Sequence, residues 1–170
     1  LLRAGFGVSK EEVTACLALG REETVRRLVR GEPLVDKAPP LVPFDQFQEN
    51  GNKALDPLLL VNQQMYWLYR MVNSPSPLIE KMTLFWHGHF ATANYKVKDA
   101  SLMVKQNDLF RTFALGNFKE LLTEIGKDPA MMIWLDVNQN KKGKPNENYA
   151  REVMELFTLG IGHYTEMDVK

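Results

Sequence analysis

Residues 57–72 read PLLLVNQQMYWLYRMV, and the spacing inside this stretch decides the fold. Leu58, Val61, Met65, Leu68 and Val72 recur at steps of three and four, the period of a helix with one apolar stripe. A strand would show alternation instead, and no alternating strand pair stands anywhere in the chain. The stretch is therefore an amphipathic helix, and further segments along the chain keep the same period.

Upstream, GVSKEEV (7–13) places Ser9 as a helix cap with Glu12 three residues on to close a capping box, which predicts a helix over about 10–19. Gly20 breaks the pattern. REETVRRLVRG (21–31) then puts acids in a first turn, arginines in a last turn and Gly31 just beyond, so a second short helix follows. Between it and the opening stretch, residues 32–51 carry Pro33, Pro39, Pro40 and Pro43 with little helical period, which predicts an extended strap or linker over the surface.

Downstream, SPSPLIEKMTLFWHGHF (74–90) offers Ser76 as cap and Pro77 as first helical residue, with the helix running to about Trp86. TANYKVKD (92–99) reads as a short extended piece. ASLMVKQNDLFRTFAL (100–115) and GNFKELLTEIG (116–126) each hold helical spacing. DPAMMIWL (128–135) starts with Asp128 as cap and Pro129 at the first position, and NENYAREVMELFTLG (146–160) runs from Asn146 to Gly160. The expectation is an all-α fold: a compact orthogonal bundle of about seven or eight helices with a Pro-rich strap, forming a single helical domain over 1–170. A chain of 170 residues suits one core.

Lys and Arg number 21 and Asp and Glu 21, so no net field favours a nucleic acid or an anionic membrane. Cys16 has no partner for a disulfide and sits in the apolar run VTACLAL, where a thiol packs as a small hydrophobe. No apolar run approaches the roughly 20 residues of a membrane span, and no signal peptide is visible. The start at Leu1, without methionine, suggests a trimmed or partial product.

Two groups of residues could carry chemistry. In WHGHF, His87 and His89 lie two apart; on a regular helix their rings would point about 160° from one another and could not share a metal ion. His89 would then join the face of Leu78, Met82 and Phe85, and His87 would lie beside Glu80 and Thr83. If Gly88 ends the helix, either ring could reach a common site; the plainer reading is two hydrogen-bonded histidines fastening a helix end. The second group lies on the terminal helix. Glu147, Arg151 and Glu155 follow at steps of four, with Glu152 bordering them, while Tyr149, Ala150, Val153, Met154, Leu156, Phe157 and Leu159 cover most of the remaining circumference. A helix so apolar should be largely buried, its polar stripe facing a cleft, as a metal or acid–base site or as a salt-bridge network organised by Arg151. His163, in GIGHYTE, could fold back to that stripe over Gly160 and Gly162 or simply satisfy the helix end.

DVNQNKKGKPNE (136–147) has oxygen-bearing side chains at its first, third, fifth and twelfth positions, as a calcium-binding EF-hand loop does. Its sixth position is Lys141 rather than glycine, and Lys141, Lys142 and Lys144 oppose a dication. The better reading is a connection in which the asparagines and Pro145 set the angle of the terminal helix.

LLRAGFG (1–7), EKMTLFWHGHFAT (80–92), ALGNFKELL (114–122), DPAMMIWLD (128–136) and above all PNENYAREVMELFTLGIGHYTEMDVK (145–170) resemble the bacterial family catalogued as domain of unknown function 1800. That family has no assigned activity. The resemblance implies a larger, exported protein, often encoded beside another uncharacterised exported family. This chain would be its N-terminal portion, with the remainder of its own chain and another exported protein as expected partners. Two expectations follow. One is an exported enzyme with a divalent metal ion held by His87, His89, Glu147 and His163, or with acid–base chemistry at Glu152, Glu155 and Arg151. The alternative is a non-catalytic scaffold or binding module whose buried charges fix the fold.

Overall fold

The computed structural model describes residues 1–36, 38–46, 59–144 and 146–169. Within them the chain forms helices α1 (Lys10–Arg30), α2 (Leu60–Asn73), α3 (Pro77–His89), α4 (Asn94–Val97), α5 (Ala100–Thr112), α6 (Phe118–Ile125), α7 (Pro129–Trp134), α8 (Asn148–Glu152) and α9 (Glu166–Val169). No strand occurs among the described residues, so the fold is all-α, a helical bundle. No described helix is long and apolar enough to cross a membrane.

Local chemistry accounts for the helix ends. The capping box forms: the Ser9 N–H donates to Glu12 Oε2 at 2.7 Å and the Glu12 N–H to Ser9 Oγ at 3.1 Å. Gly20 takes φ 76° and ψ 170°, so the two expected helices are one element bent at that residue. Gly31 closes α1 in the left-handed region at φ 67°, and a Cβ there would stand 2.7 Å from Ile79 Cδ1 of α3. Glycine at this position thus serves both the cap and the close approach of α1 to α3.

In the described part of the strap, Phe44–Gln46 form a single 3-10 turn rather than extended backbone. Leu34 is buried, the Val42 N–H donates to Tyr69 Oη at 3.1 Å, and the Tyr66 hydroxyl donates to the Val42 carbonyl at 3.0 Å, so two tyrosines of α2 hold it. Residues 47–51 of the strap, Leu58 at the start of the apolar stripe, and Pro145 lie outside the described residues. On α2 the apolar stripe does not face the core: Val61, Leu68 and Val72 are 55%, 61% and 79% exposed. The inward face carries Asn62, which is buried, and Tyr66, Tyr69 and Arg70, which find polar partners on the strap and on α3.

Three expectations need correction. First, α3 does not stop near Trp86. It continues through Gly88 to His89, where the Phe90 N–H bonds to the Trp86 carbonyl at 2.8 Å. Second, TANYKVKD is not extended. Asn94–Val97 make a helical turn closed by Lys98 at φ 57°, and Lys96 Nζ reaches the Trp134 carbonyl at 2.5 Å and Asp136 at 2.8 Å, drawing the turn against α7. Third, the terminal helix starts at Asn148 rather than beside Asn146, although Asn146 Oδ1 still accepts from the Asn148 N–H at 2.9 Å. It then widens into a π-helical segment, Val153–Thr158. The wider i→i+5 turn breaks the 3.6-residue register on which a fully apolar circumference depends. Leu156 and Leu159 are exposed there, and Phe157 is the residue turned inward.

The core joins Phe90, Phe110, Leu121, Ile125, Met131, Leu135 and Phe157. Each such side chain contributes about 1.5–3 kcal/mol by burial. One buried polar chain crosses it: Thr92 donates to Gln106, Gln106 Nε2 donates to Asp128 Oδ2 at 2.7 Å, and that oxygen accepts the Met131 N–H at 2.8 Å to cap α7. In the connection after α7, Asp136 pairs with Lys96 and Gln139, and Asn140 accepts the Asn146 N–H, so these oxygens serve the turn.

Candidate functional site

Steps of three and four that build helices also align side chains on one face. On α2, Gln63, Trp67 and Arg70 share a face; on α5, Met103, Asn107 and Arg111 do. These two faces, with His87 of α3, Thr92 and Asn94 before and in α4, and Phe44 and Tyr66 toward the strap, line a cavity of about 560 Å³.

Behind the cavity wall stands Glu80 of α3, whose side chain is 1% exposed. It accepts from Arg70 Nε at 2.9 Å, from Arg111 Nε at 2.9 Å and, through its second oxygen, from Arg111 Nη2 at 3.2 Å. Arg111 also donates to Asp108 and to Asn107 Oδ1, each at 2.5 Å. One carboxylate thus fastens α3 to both α2 and α5, and sets the two guanidiniums in the wall. Burial works against the Arg70 charge, but attraction to and hydrogen bonding with Glu80 outweigh it and raise its pKa.

Three side-chain atoms in this wall are buried and make no hydrogen bond within the described residues: Trp67 Nε1, Asn94 Oδ1 and Asn107 Nδ2. All three belong to residues lining the same cavity. Leaving a buried polar atom unpaired costs about 1–3 kcal/mol, so this cost falls on three residues of one wall.

His87 lines the cavity with its ring edge-on to Trp67, centroids 5.3 Å apart, and to Phe110 at 6.2 Å. Burial lowers its pKa below the ordinary 6.5, so near neutrality it is an imidazole with one donor and one acceptor. Because the folded pKa is lowered, the unfolded chain takes up this proton more readily. The stability His87 contributes is present above pH 6.5 and lost as pH falls through 6.5 toward the folded value. His87→Phe is therefore expected to flatten the acid limb of a stability–pH curve measured by urea unfolding below pH 6.5; an unchanged limb would contradict this burial.

The other residues singled out from sequence lie elsewhere. The unbroken α3 keeps the two histidine rings on opposite faces: His89 packs among Phe85, Phe90 and Phe118, and its Nε2 lies 3.0 Å from the Phe157 carbonyl, which can only accept. It thereby holds the π-helical segment. Arg151 does not face a buried stripe. It makes two bonds to Glu166, at 2.6 and 3.0 Å, which raise its pKa, and stands 3.7 Å from Glu147. Glu155 accepts from the Tyr164 hydroxyl, Glu152 is half-buried, and His163 is exposed with its N–H on the Gly160 carbonyl. The structure brings His87, His89, Glu147 and His163 to no common point, and among the described residues no group of three or more His, Cys, Asp or Glu could hold a metal ion.

Sequence reasoning missed Trp67, Arg70, Asn94, Asn107 and Arg111, and used Glu80 only as a neighbour of His87. A signal was present: Asn107, Asp108 and Arg111 stand at the spacing of mutual bonding on one helix. No curated protein and no solved structure is similar to the chain. A family model does match, over residues 1–170, and by it the protein belongs to the family described as Protein of unknown function (DUF1800).

Proposed function

We propose that this domain binds a small organic molecule in the cavity between α2 and α5, with the Glu80 cluster as the structural charge network that holds its walls. The observation that carries this reading is that Trp67, Asn94 and Asn107, each with a buried polar atom that is unpaired among the described residues, all line one cavity. A volume of about 560 Å³ falls within the range of small-molecule sites. The test is a thermal-shift screen of several hundred metabolite-like compounds against the protein and against Trp67→Phe and Asn107→Leu. Compounds that raise the melting temperature of the parent and lose most of that shift in both variants support the reading. A screen without hits, or hits indifferent to both substitutions, would rule it out.

A second reading has one observation in its favour. The neutral His87 lines the same cavity, so a bound molecule could be a substrate from which His87 takes a proton as general base. The metal-centre reading at His87, His89, Glu147 and His163 has no comparable convergence among the described residues to support it.

A further inference from the structure

Resting on that binding reading, we infer that the ligand of the α2–α5 cavity is a monocarboxylate with an aromatic or other apolar body and a single hydrogen-bond donor. The wall offers unequal chemistry. Among the described residues of the wall, Trp67 Nε1 and Asn107 Nδ2 are buried donors without partners, against one such acceptor, Asn94 Oδ1. The ligand must therefore present mainly acceptor oxygens and one N–H or O–H.

The charge balance selects a carboxylate among acceptors. Two guanidiniums share the one fully buried carboxylate of Glu80. Arg111 spends its donors on Glu80, Asp108 and Asn107, whereas Arg70 meets Glu80 through Nε, and its guanidinium, 5.9 Å from the Tyr66 ring centroid, lines the cavity. Among the described residues Asp108 is the other acid at the cavity, but its side chain is 66% exposed and screened by water, so the buried excess charge among them is positive. A carboxylate can take the forked guanidinium and an amide donor together. The apolar body is set by Phe44, Tyr66, Trp67 and Met103.

Indole-3-propionate is the probe: it carries the carboxylate, the aromatic body and one N–H. Titration calorimetry should show it binding at least about tenfold more tightly than indole-3-propionamide, as a charge-assisted bond predicts. Arg70→Gln should erase that preference and Arg70→Lys should keep part of it, with circular-dichroism melts confirming folded variants; should Arg70→Gln not fold, the Arg70→Lys comparison decides. Equal or tighter binding of the amide overturns the carboxylate class and leaves the cavity reading standing. Failure of both probes while the broader screen gives cavity-dependent hits overturns the class as well. A screen with no hits removes the cavity reading itself, and this inference with it.

Discussion

Glu80→Ala is expected to lower the free energy of unfolding by about 3–5 kcal/mol, the cost of breaking a buried ion pair from one side. The side chain is fully buried and receives three N–H donors from two guanidiniums. Its removal strands Arg111, whose own side chain is largely out of water, without its principal counter-charge. Urea unfolding of Glu80→Ala and of Glu80→Gln separates charge from shape, since glutamine fills the space but turns an N–H toward a donor; it should fall between the parent and the alanine variant. A triple variant, Glu80→Leu with Arg70→Met and Arg111→Leu, should recover most or all of the loss, because apolar replacement of a whole buried cluster is often neutral or stabilising. A Glu80→Ala variant within about 0.5 kcal/mol of the parent, the range of an ordinary surface substitution, would show that the cluster is not buried as described.

That cluster also marks where sequence reading stopped. Whatever depends on neighbours a few residues away was legible: the Ser9 and Glu12 box, the left-handed Gly31, Pro77 and Asp128 with Pro129 at helix starts, the helical class itself. Whatever depends on which helix lies opposite was not. Spacing alone makes Val61, Leu68 and Val72 the face of α2 to bury, yet the partners offered by Val42 and Glu80 turn Tyr66, Tyr69 and Arg70 inward. In the same way, the acids at 147, 152 and 155 form a dense run in sequence, while the cavity wall draws spaced residues from the strap, α2, α3, α4 and α5 and leaves no run to notice. The π-helical segment is invisible for a related reason: its tie to the rest of the fold, the bond from His89 to the Phe157 carbonyl, joins residues 68 apart in the chain.

The same bond places the second large effect. Phe90 is fully buried where α3 ends, and its ring meets Phe157 at 4.9 Å, Phe110 at 6.0 Å and Phe118 at 6.3 Å, so one side chain joins α3, α5, α6 and the π-helical segment. Phe90→Ala should cost about 3–5 kcal/mol, combining lost burial with the cavity left in an aromatic cluster that cannot collapse onto it. Phe90→Leu keeps most of the volume and should cost about half as much or less. Because Phe90 follows the α3 end that carries both histidines, the alanine variant is also expected to loosen His89 from the Phe157 carbonyl, seen as faster amide hydrogen exchange in the segment 153–160 than in α7. Uniform exchange across both regions, or a cost near that of Phe90→Leu, would mean that Phe90 fills space without fastening these elements together.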